Sequence, residues 1–492
     1  MLKLFVVAGL VLAWTCDSSA QPPKTTRTPL LRAVDLAIGE TAEVELCDGT
    51  KATIKLVDVA ETRDTLRGAV RRADVKVEVN GQAAKLTAAM YRLPLTVGGV
   101  RIDCPVTKGY QGNAHRDDIW SLEKDARLRL WPAGSPLVAP DSFVYPVHQR
   151  WFASDTQMAN DPCYVDGGDK PGVRSVYYHY GLDIGGAEGM VDVVAATSGL
   201  VVSAGEAVLP GYKGTPVAPR YDVVYLLDDR GWYYRYSHLK TIDEAIKPGR
   251  LVKIGQPVGV LGKEGGSGGW SHLHFDIFAL QPSGKFGVQE GYGFLWEAYA
   301  RRHHPEIIAV ARPHQLIWAG ESATLDGSRS WSRSAVARYQ WTFTDGSTAD
   351  GAQTTRVYEK PGTYSEVLQI TDEDGRVAYD FAVVQVIDRE RPDPLPATIH
   401  AAYSPTLGIK PNTDVTFKVR TFRAAGGETW NFGDGSPPAT VKSDGNAHQH
   451  AVDGYAVTTH RFAKPGHHIV RVEHVDERGI PAIAHLDVFV EP

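Results

Sequence analysis

The spacing of apolar residues most constrains what this 492-residue chain can fold into. Runs such as Ala42-Glu-Val-Glu-Leu-Cys47 and Val75-Lys-Val-Glu-Val-Asn-Gly81 alternate apolar with polar side chains. A period of two puts every second side chain on the same face of a strand. In the middle of the chain, strong β-runs such as Gly199-Leu-Val-Val-Ser-Ala-Gly205 and Asp222-Val-Val-Tyr-Leu-Leu-Asp228 lie between Gly-rich turns. Elements of this kind bury their apolar faces by stacking sheet on sheet, so we expect a mainly β, multidomain protein. The length fits three or four domains. At 43% hydrophobic and 22% charged, the chain is globular, and disorder, collagen and coiled coil are excluded.

An internal repeat organises the C-terminal part. Trp341-Thr-Phe-Thr-Asp-Gly-Ser347 matches Trp430-Asn-Phe-Gly-Asp-Gly-Ser436, and Lys360-Pro-Gly-Thr-Tyr364 matches Lys464-Pro-Gly-His-His468. The second copy holds the longer connection between its landmarks. Asp-Gly dipeptides supply the positive-φ turns that short hairpins need. Each copy is expected to be an Ig-like β-sandwich, one over residues 305–390 and one over 397–492. The connecting Asp388-Arg-Glu-Arg-Pro-Asp-Pro-Leu-Pro396 is stiffened by its prolines. Both copies resemble PKD domains, whose hallmark Trp-Asp-Phe-Gly-Asp-Gly is kept with Thr342 and Asn431 at the first Asp position. Upstream, residues 28–140 read as a β-rich N-terminal domain. Pro132, Pro136 and Pro140 punctuate its end, and residues 141–304 read as one largely antiparallel domain.

The net charge of −6 comes from scattered residues, which leaves no basic footprint for nucleic acid or an anionic membrane. Lys3 precedes an apolar run from Leu4 to Trp14 that is shorter than the ~20 residues needed to span a bilayer. It reads as a signal peptide over residues 1–20, with Ser18-Ser19-Ala20 before the cleavage point. The expectation is an exported protein, periplasmic, surface-held or secreted, without a transmembrane helix in the mature chain. A lipid anchor at Cys16 is the weaker reading, because Trp14 and Thr15 are poor residues before a lipidated cysteine. In an oxidising compartment Cys47, Cys104 and Cys163 allow one bridge. Cys47 with Cys104 is the expected pair, and Cys163 is expected to be buried or bridged rather than a ligand. Without a Cys-x-x-Cys pair, a thiolate zinc finger is excluded.

Chemistry concentrates in the middle domain, in His179-Tyr-Gly-Leu-Asp183, Tyr236-Ser-His238 and Ser271-His272-Leu-His274-Phe-Asp276-Ile277. Alternation puts His272, His274 and Asp276 on one strand face and Leu273, Phe275 and Ile277 on the other. His179 and Asp183 would lie ~13 Å apart on a straight strand, too far to share a metal. The chain must therefore bend, and Gly181 permits the bend. With one histidine of the strand pair added, two imidazoles and one carboxylate leave a fourth tetrahedral position open, as at a catalytic zinc. An isolated His-x-His is a weak signal, and another occurs at His448 and His450. The specificity lies in the ordered combination, preceded by Gly262-Lys-Glu-Gly-Gly-Ser-Gly-Gly269.

With these motifs, and with Val252-Lys-Ile-Gly-Gln-Pro-Val-Gly-Val-Leu-Gly262, residues 141–304 resemble the lysostaphin-type (LytM-like) zinc metallopeptidases that cleave peptide bonds in bacterial peptidoglycan. The resemblance implies one Zn2+ held by His179, Asp183 and His274, and makes His238 and His272 the catalytic histidines. His272 is the candidate general base, and His238 the candidate for stabilising the oxyanion or protonating the leaving amine. The Gly-rich segment 265–269 and the loop 210–219 are expected to rim a groove for a peptidoglycan peptide. Two other functions stay open: a catalytically inactive peptidoglycan-binding or hydrolase-regulating protein, and an adhesion protein that binds cell wall or glycan through the PKD-like modules. The N-terminal domain could occlude the groove, with polar residues near Asn113 or His115 reaching the metal. The seven histidines from His448 to His485 are expected at a solvated surface, and His303-His304 in a linker.

Overall fold

The computed structural model describes residues 25–111, 118–163, 176–393, 395–424, 427–444 and 454–492. The leader expectation, with Cys16, and the suggested contacts of Asn113 and His115 lie outside these residues. The architecture is nearly all β, as the alternation requires.

The N-terminal part is two four-stranded antiparallel sheets. One runs Arg32–Leu36, Ala126–Pro132, Val100–Thr107, Leu95–Val97, and the other Thr41–Glu45, Lys51–Arg63, Val70–Val79, Gln82–Thr87. In Lys51–Arg63 the buried Ala52, Ile54 and Leu56 alternate with exposed neighbours. Cys104 lies buried in one sheet, its thiol donating to the Val106 carbonyl, whereas Cys47 follows the strand Thr41–Glu45 of the other. Both are free thiols. The expected Cys47–Cys104 bridge is therefore corrected: their places in two different sheets keep them apart.

The middle domain is built on a long antiparallel sheet. Its strands run Ala207–Val208, Gly199–Ala204, Val224–Leu227, Tyr233–Ser237, His272–Leu280, Leu182–Gly185, Thr156–Gln157. The strand His272–Leu280 is central, and Leu273, Phe275 and Ile277 enter the largest core. Sequence alternation did not anticipate the helix Tyr292–His303 beside it, which buries Tyr292, Phe294, Leu295, Ala298 and Tyr299. His303 ends this helix with its ring stacked on Tyr299, and His304 is its left-handed cap, so neither is free linker.

N-terminal and middle parts share their cores. Trp131 and Tyr91 pack with Leu182, Phe275 and Leu295, while Tyr225, Tyr233 and Phe278 pack with the N-terminal sheets. Arg129, 1% exposed, pairs with Asp103 at 2.6 Å and with Glu290 of the middle domain at 3.0 Å. Removing one partner of such a buried pair typically costs ~3–5 kcal/mol.

The two C-terminal modules bury the repeat tryptophans, Trp341 and Trp430, at 0% exposure. Those residues serve cores and are not offered to a glycan. The strand Gly362–Asp372 meets Pro481–Val490 in parallel at Thr363 and Ala482, which joins the modules edge to edge. The late histidines are engaged, which corrects the expectation of a solvated surface. His468 and His474 are buried, His460 stacks on Phe432 and bonds Asp434, His467 bonds Asp487, and His485 bonds Ser365. His448 and His450 lie outside the described residues.

The second module also docks on the middle domain. Arg150 pairs with Asp487 at 2.8 Å, Lys418 donates to the Glu188 carbonyl at 2.6 Å, and Ser154 donates to the Ala401 carbonyl at 2.7 Å. His400 is buried in this interface between Ser154, Tyr455 and Trp270, with the Asp155 carboxylate nearby. Burial pushes its pKa down to about 4 despite the raising effect of Asp155, against ~6.5 in an unfolded chain. Below that unfolded value the unfolded chain takes up a proton that the folded chain refuses. The stability His400 contributes is thus complete above about pH 6.5 and declines as pH falls toward 4, by at most ~1.4 kcal/mol per unit. Urea unfolding at about pH 7 and about pH 5 should show this loss, and His400→Gln should flatten it.

Candidate active site

The bend that the sequence demands lies between Tyr177–Tyr178 and Leu182–Gly185. Gly181 turns the chain at φ +73°, in the left-handed region, with no room for a side chain. The bend brings His179 back to Asp183, leaving Nε2 3.2 Å from the carboxylate. Asp183 pairs in register with His274 on the central strand, and Ser237 pairs with His274 from the other side. Three neighbouring strands therefore deliver Asp183, His274 and, one residue past a strand end, His238 to one place, and the bend adds His179.

The geometry is tight. His274 Nδ1 lies 2.6 Å from Asp183 Oδ1 and 3.2 Å from His179 Nε2, and His272 Nε2 lies 3.4 Å from Asp183 Oδ2. His179, Asp183 and His274 each offer a ligand atom within 4.8 Å of the other two, and all three are buried. The His238 and His272 rings lie 4.6 Å apart, centre to centre. His238 holds an unusual backbone, φ +66°, of the kind retained where surrounding structure fixes a functional group.

The donors are oriented by a second set of side chains. His274 Nε2 lies 2.9 Å from Asp276 Oδ1, an ion-pair contact, and Asp276 is held from behind by Arg235 at 3.0 Å. His274 Nδ1 faces Asp183 within hydrogen-bond distance. An imidazole nitrogen and a carboxylate oxygen 2.6 Å apart need a positive charge between them, which either a proton or a metal cation supplies. Burial pushes the His274 pKa down, but the Asp276 and Asp183 carboxylates more than reverse this, to about 10. Burial likewise works to raise Asp183, and His179, His272 and His274 outweigh it, holding the carboxyl well below its usual range. The buried His179 Nδ1 has no hydrogen-bond partner among the described residues. A buried His/Asp/His set of this charge, with one open side, fits a divalent metal such as zinc.

The other two histidines are held by backbone carbonyls. His272 Nδ1 donates to the Trp270 carbonyl at 3.1 Å, and His238 Nδ1 to that of Glu264 at 2.5 Å. Each ring therefore carries its proton on Nδ1 and leaves Nε2 bare. Burial lowers both pKa values, that of His272 strongly, while Asp222 partly offsets the effect at His238. Asp222 also accepts from the His238 backbone N–H at 2.9 Å and pairs with Arg220.

The group opens into a cleft of about 790 Å³. Gly266, Ser267, Gly268 and Trp270 line it, as the Gly-rich segment led us to expect. No residue of 210–219 does, which corrects that expectation; Arg220, the next residue, takes the place. Among the described residues of the N-terminal part, Arg71 alone lines the cleft. The second C-terminal module supplies a wall through Ile399, His400 and Phe422. Asp276 is signalled in the sequence by its register on the histidine face, which does not disclose its role behind His274. Asp222, Arg235 and the wall residues carry no local signal. Tyr236 is a core residue whose hydroxyl accepts from the Ala196 N–H.

Residues 177–284 match Peptidase family M23, and residues 303–386 and 398–482 each match the PKD domain. Among solved structures, lysostaphin from Staphylococcus simulans is similar at 16% identity, covering 71% of this chain and 92% of that one, with a TM-score of 0.24. Csd3 of Helicobacter pylori is similar at 17% identity over 52% and 55%, TM-score 0.20. The PKD domain of the KIAA 1837 protein is similar at 26% identity over 17% and 90%, TM-score 0.16.

A Cβ on residue 181 would meet Asp276 Oδ1 at 2.0 Å and the Phe275 carbonyl at 2.9 Å. Gly284 has a similar φ of +77° with nothing within 4 Å. Gly284→Ala should cost only the ~1–2 kcal/mol of the backbone conformation, and Gly181→Ala more than that. Chemical unfolding of both variants measures the difference.

Proposed function

From a chain that carries an M23, LytM-type peptidase domain followed by two PKD domains, we propose an exported, zinc-dependent endopeptidase that hydrolyses peptide bonds in peptidoglycan stem or cross-bridge peptides. The observation that carries the reading is the meeting of His179, Asp183 and His274 on the floor of a cleft, with His238 and His272 beside them. His179 Nε2, Asp183 and His274 Nδ1 are the atoms that would hold the zinc. Bound there, the metal supplies Lewis-acid polarisation of the scissile carbonyl and an activated water.

The remaining chemistry belongs to the chain. His272, with Nδ1–H fixed on the Trp270 carbonyl, presents Nε2 as the base that accepts a proton from the attacking water. His238, fixed in the same way on Glu264, presents Nε2 from the opposite strand and carries the oxyanion or leaving-amine role once protonated. Asp276, backed by Arg235, stands as a carboxylate beside His274 Nε2 and leaves Nδ1 as the nitrogen that faces Asp183. The open face of the cleft admits an extended chain, and burial of the histidines excludes bulk water from the proton-transfer atoms. Export is supported by the N-terminal apolar run. No helix among the described residues is long and apolar enough to cross a membrane.

Elemental analysis of the untagged full chain should find about one zinc per molecule, lost in Asp183→Ala and His274→Ala. His272→Ala should keep the metal and lower the release of new amino termini from purified peptidoglycan by roughly 10²–10⁴-fold. A folded wild type that binds zinc but opens no bond in peptidoglycan would favour the non-catalytic wall-binding reading. Cleavage of Gly-rich proteins instead would redirect the substrate.

A further inference from the structure

We propose that the second PKD domain is part of the active site: Tyr455 and His400 position His272, and Ile399 and Phe422 close one side of the substrate cleft. The inference deepens the peptidase reading and rests on it. It starts from the segment just before the central strand. Gly265, Gly268 and Gly269 all have positive φ, and a stretch so rich in glycine does not by itself hold the adjoining Trp270-Ser271-His272 in place.

The second PKD domain supplies the restraint. The Ser271 N–H donates to the Tyr455 hydroxyl at 2.8 Å, and Arg420 donates to the Gly269 carbonyl at 2.7 Å. Arg420 is buried and pairs with Asp444 at 3.0 Å. A Cβ at Gly454 would lie 2.5 Å from the Arg420 guanidinium carbon, so the residue before Tyr455 must be small for this grip to form.

Hydrogen bonding fixes the direction of the network. Because Ser154 Oγ spends its proton on the Ala401 carbonyl, it accepts from His400 Nε2, and the neutral ring takes the Tyr455 hydroxyl proton at Nδ1, 2.6 Å away. His400 then carries its proton on Nε2 and donates to Ser154 Oγ at 3.0 Å, and Ser154 donates to the Ala401 carbonyl at 2.7 Å. Every donor in this chain has an acceptor, and the chain requires a neutral His400. Trp270, pinned between, stacks on His272 with centroids 3.9 Å apart and planes 21° apart, and meets the edge of His400 at 5.2 Å. Its carbonyl also fixes the His272 tautomer. Tyr455 and His400 are thus positioning residues that act on His272 through Trp270. Their domain adds Ile399 and Phe422 to the cleft wall.

The test uses the zinc-loaded full chain and Tyr455→Phe, which keeps the ring and removes the hydroxyl. Its zinc content should equal that of wild type, and its Tm should stay within about 3 °C. On peptidoglycan, kcat should fall about tenfold with KM within about twofold. Independently, the His272 ring resonance, assigned by its loss in His272→Ala, should move in Tyr455→Phe because the ring current of Trp270 changes. Ser154→Ala, which breaks the far end of the chain, should shift both readouts in the same direction by less, and decides the matter if Tyr455→Phe does not fold. Unchanged kcat and an unmoved His272 resonance would overturn the proposal. So would a loss of activity that only tracks lost zinc or folded protein. If wild type cleaves no peptidoglycan, the substrate reading fails while the resonance still decides the positioning.

Discussion

The two-faced strand His272–Leu280 is the element on which the rest of the structure depends. Its apolar side, Leu273, Phe275 and Ile277, is locked in the main core, and its polar side carries His272, His274 and Asp276. Packing on one face thereby becomes positional precision on the other. A shift of one residue in register would exchange the faces, burying the imidazoles in the core and turning the apolar anchors toward the cleft. Pairing on both flanks, with Leu182–Gly185 and with Tyr233–Ser237, excludes that shift. The same pairing brings Asp183 and Ser237 level with His274.

Around this strand the site is electrostatically layered. Arg235 pairs with Asp276, Asp276 lies beside His274 Nε2, and His274 Nδ1 faces Asp183. The side chains of His179, Asp183 and His274 thereby converge at the cleft. The burial that makes such charges costly also makes their pairing strong.

The domains are not beads on a string. Arg129 ties the N-terminal sheets to Glu290, the cores run across the notional boundary near residue 140, and the second PKD domain grips the Gly-rich segment beside the site. Shared cores of this kind make the middle domain a poor candidate for independent folding. The second PKD domain forms a wall of the cleft.

Much was legible in the chain because it is written in local periods. Alternation announced the β architecture and placed His272, His274 and Asp276 on one face, the His179-to-Asp183 spacing demanded a bend at Gly181, and the repeat disclosed the two tryptophan-centred modules. Other features were not local. Cys47 and Cys104 looked like a pair because they share a segment, yet pairing of the strands put them in different sheets. The late histidines looked solvated, yet Asp434, Asp487 and Ser365, distant in sequence or across a strand, engage them. By itself the sequence determined which side chains can stand together on an element, since backbone geometry sets that at a range of a few residues. Only the tertiary structure decided which elements meet: that Asp222 backs His238, that the 210–219 loop stays away from the cleft, and that Tyr455 reaches Ser271. Such meetings are set by the packing of whole sheets, and no short stretch of sequence encodes them.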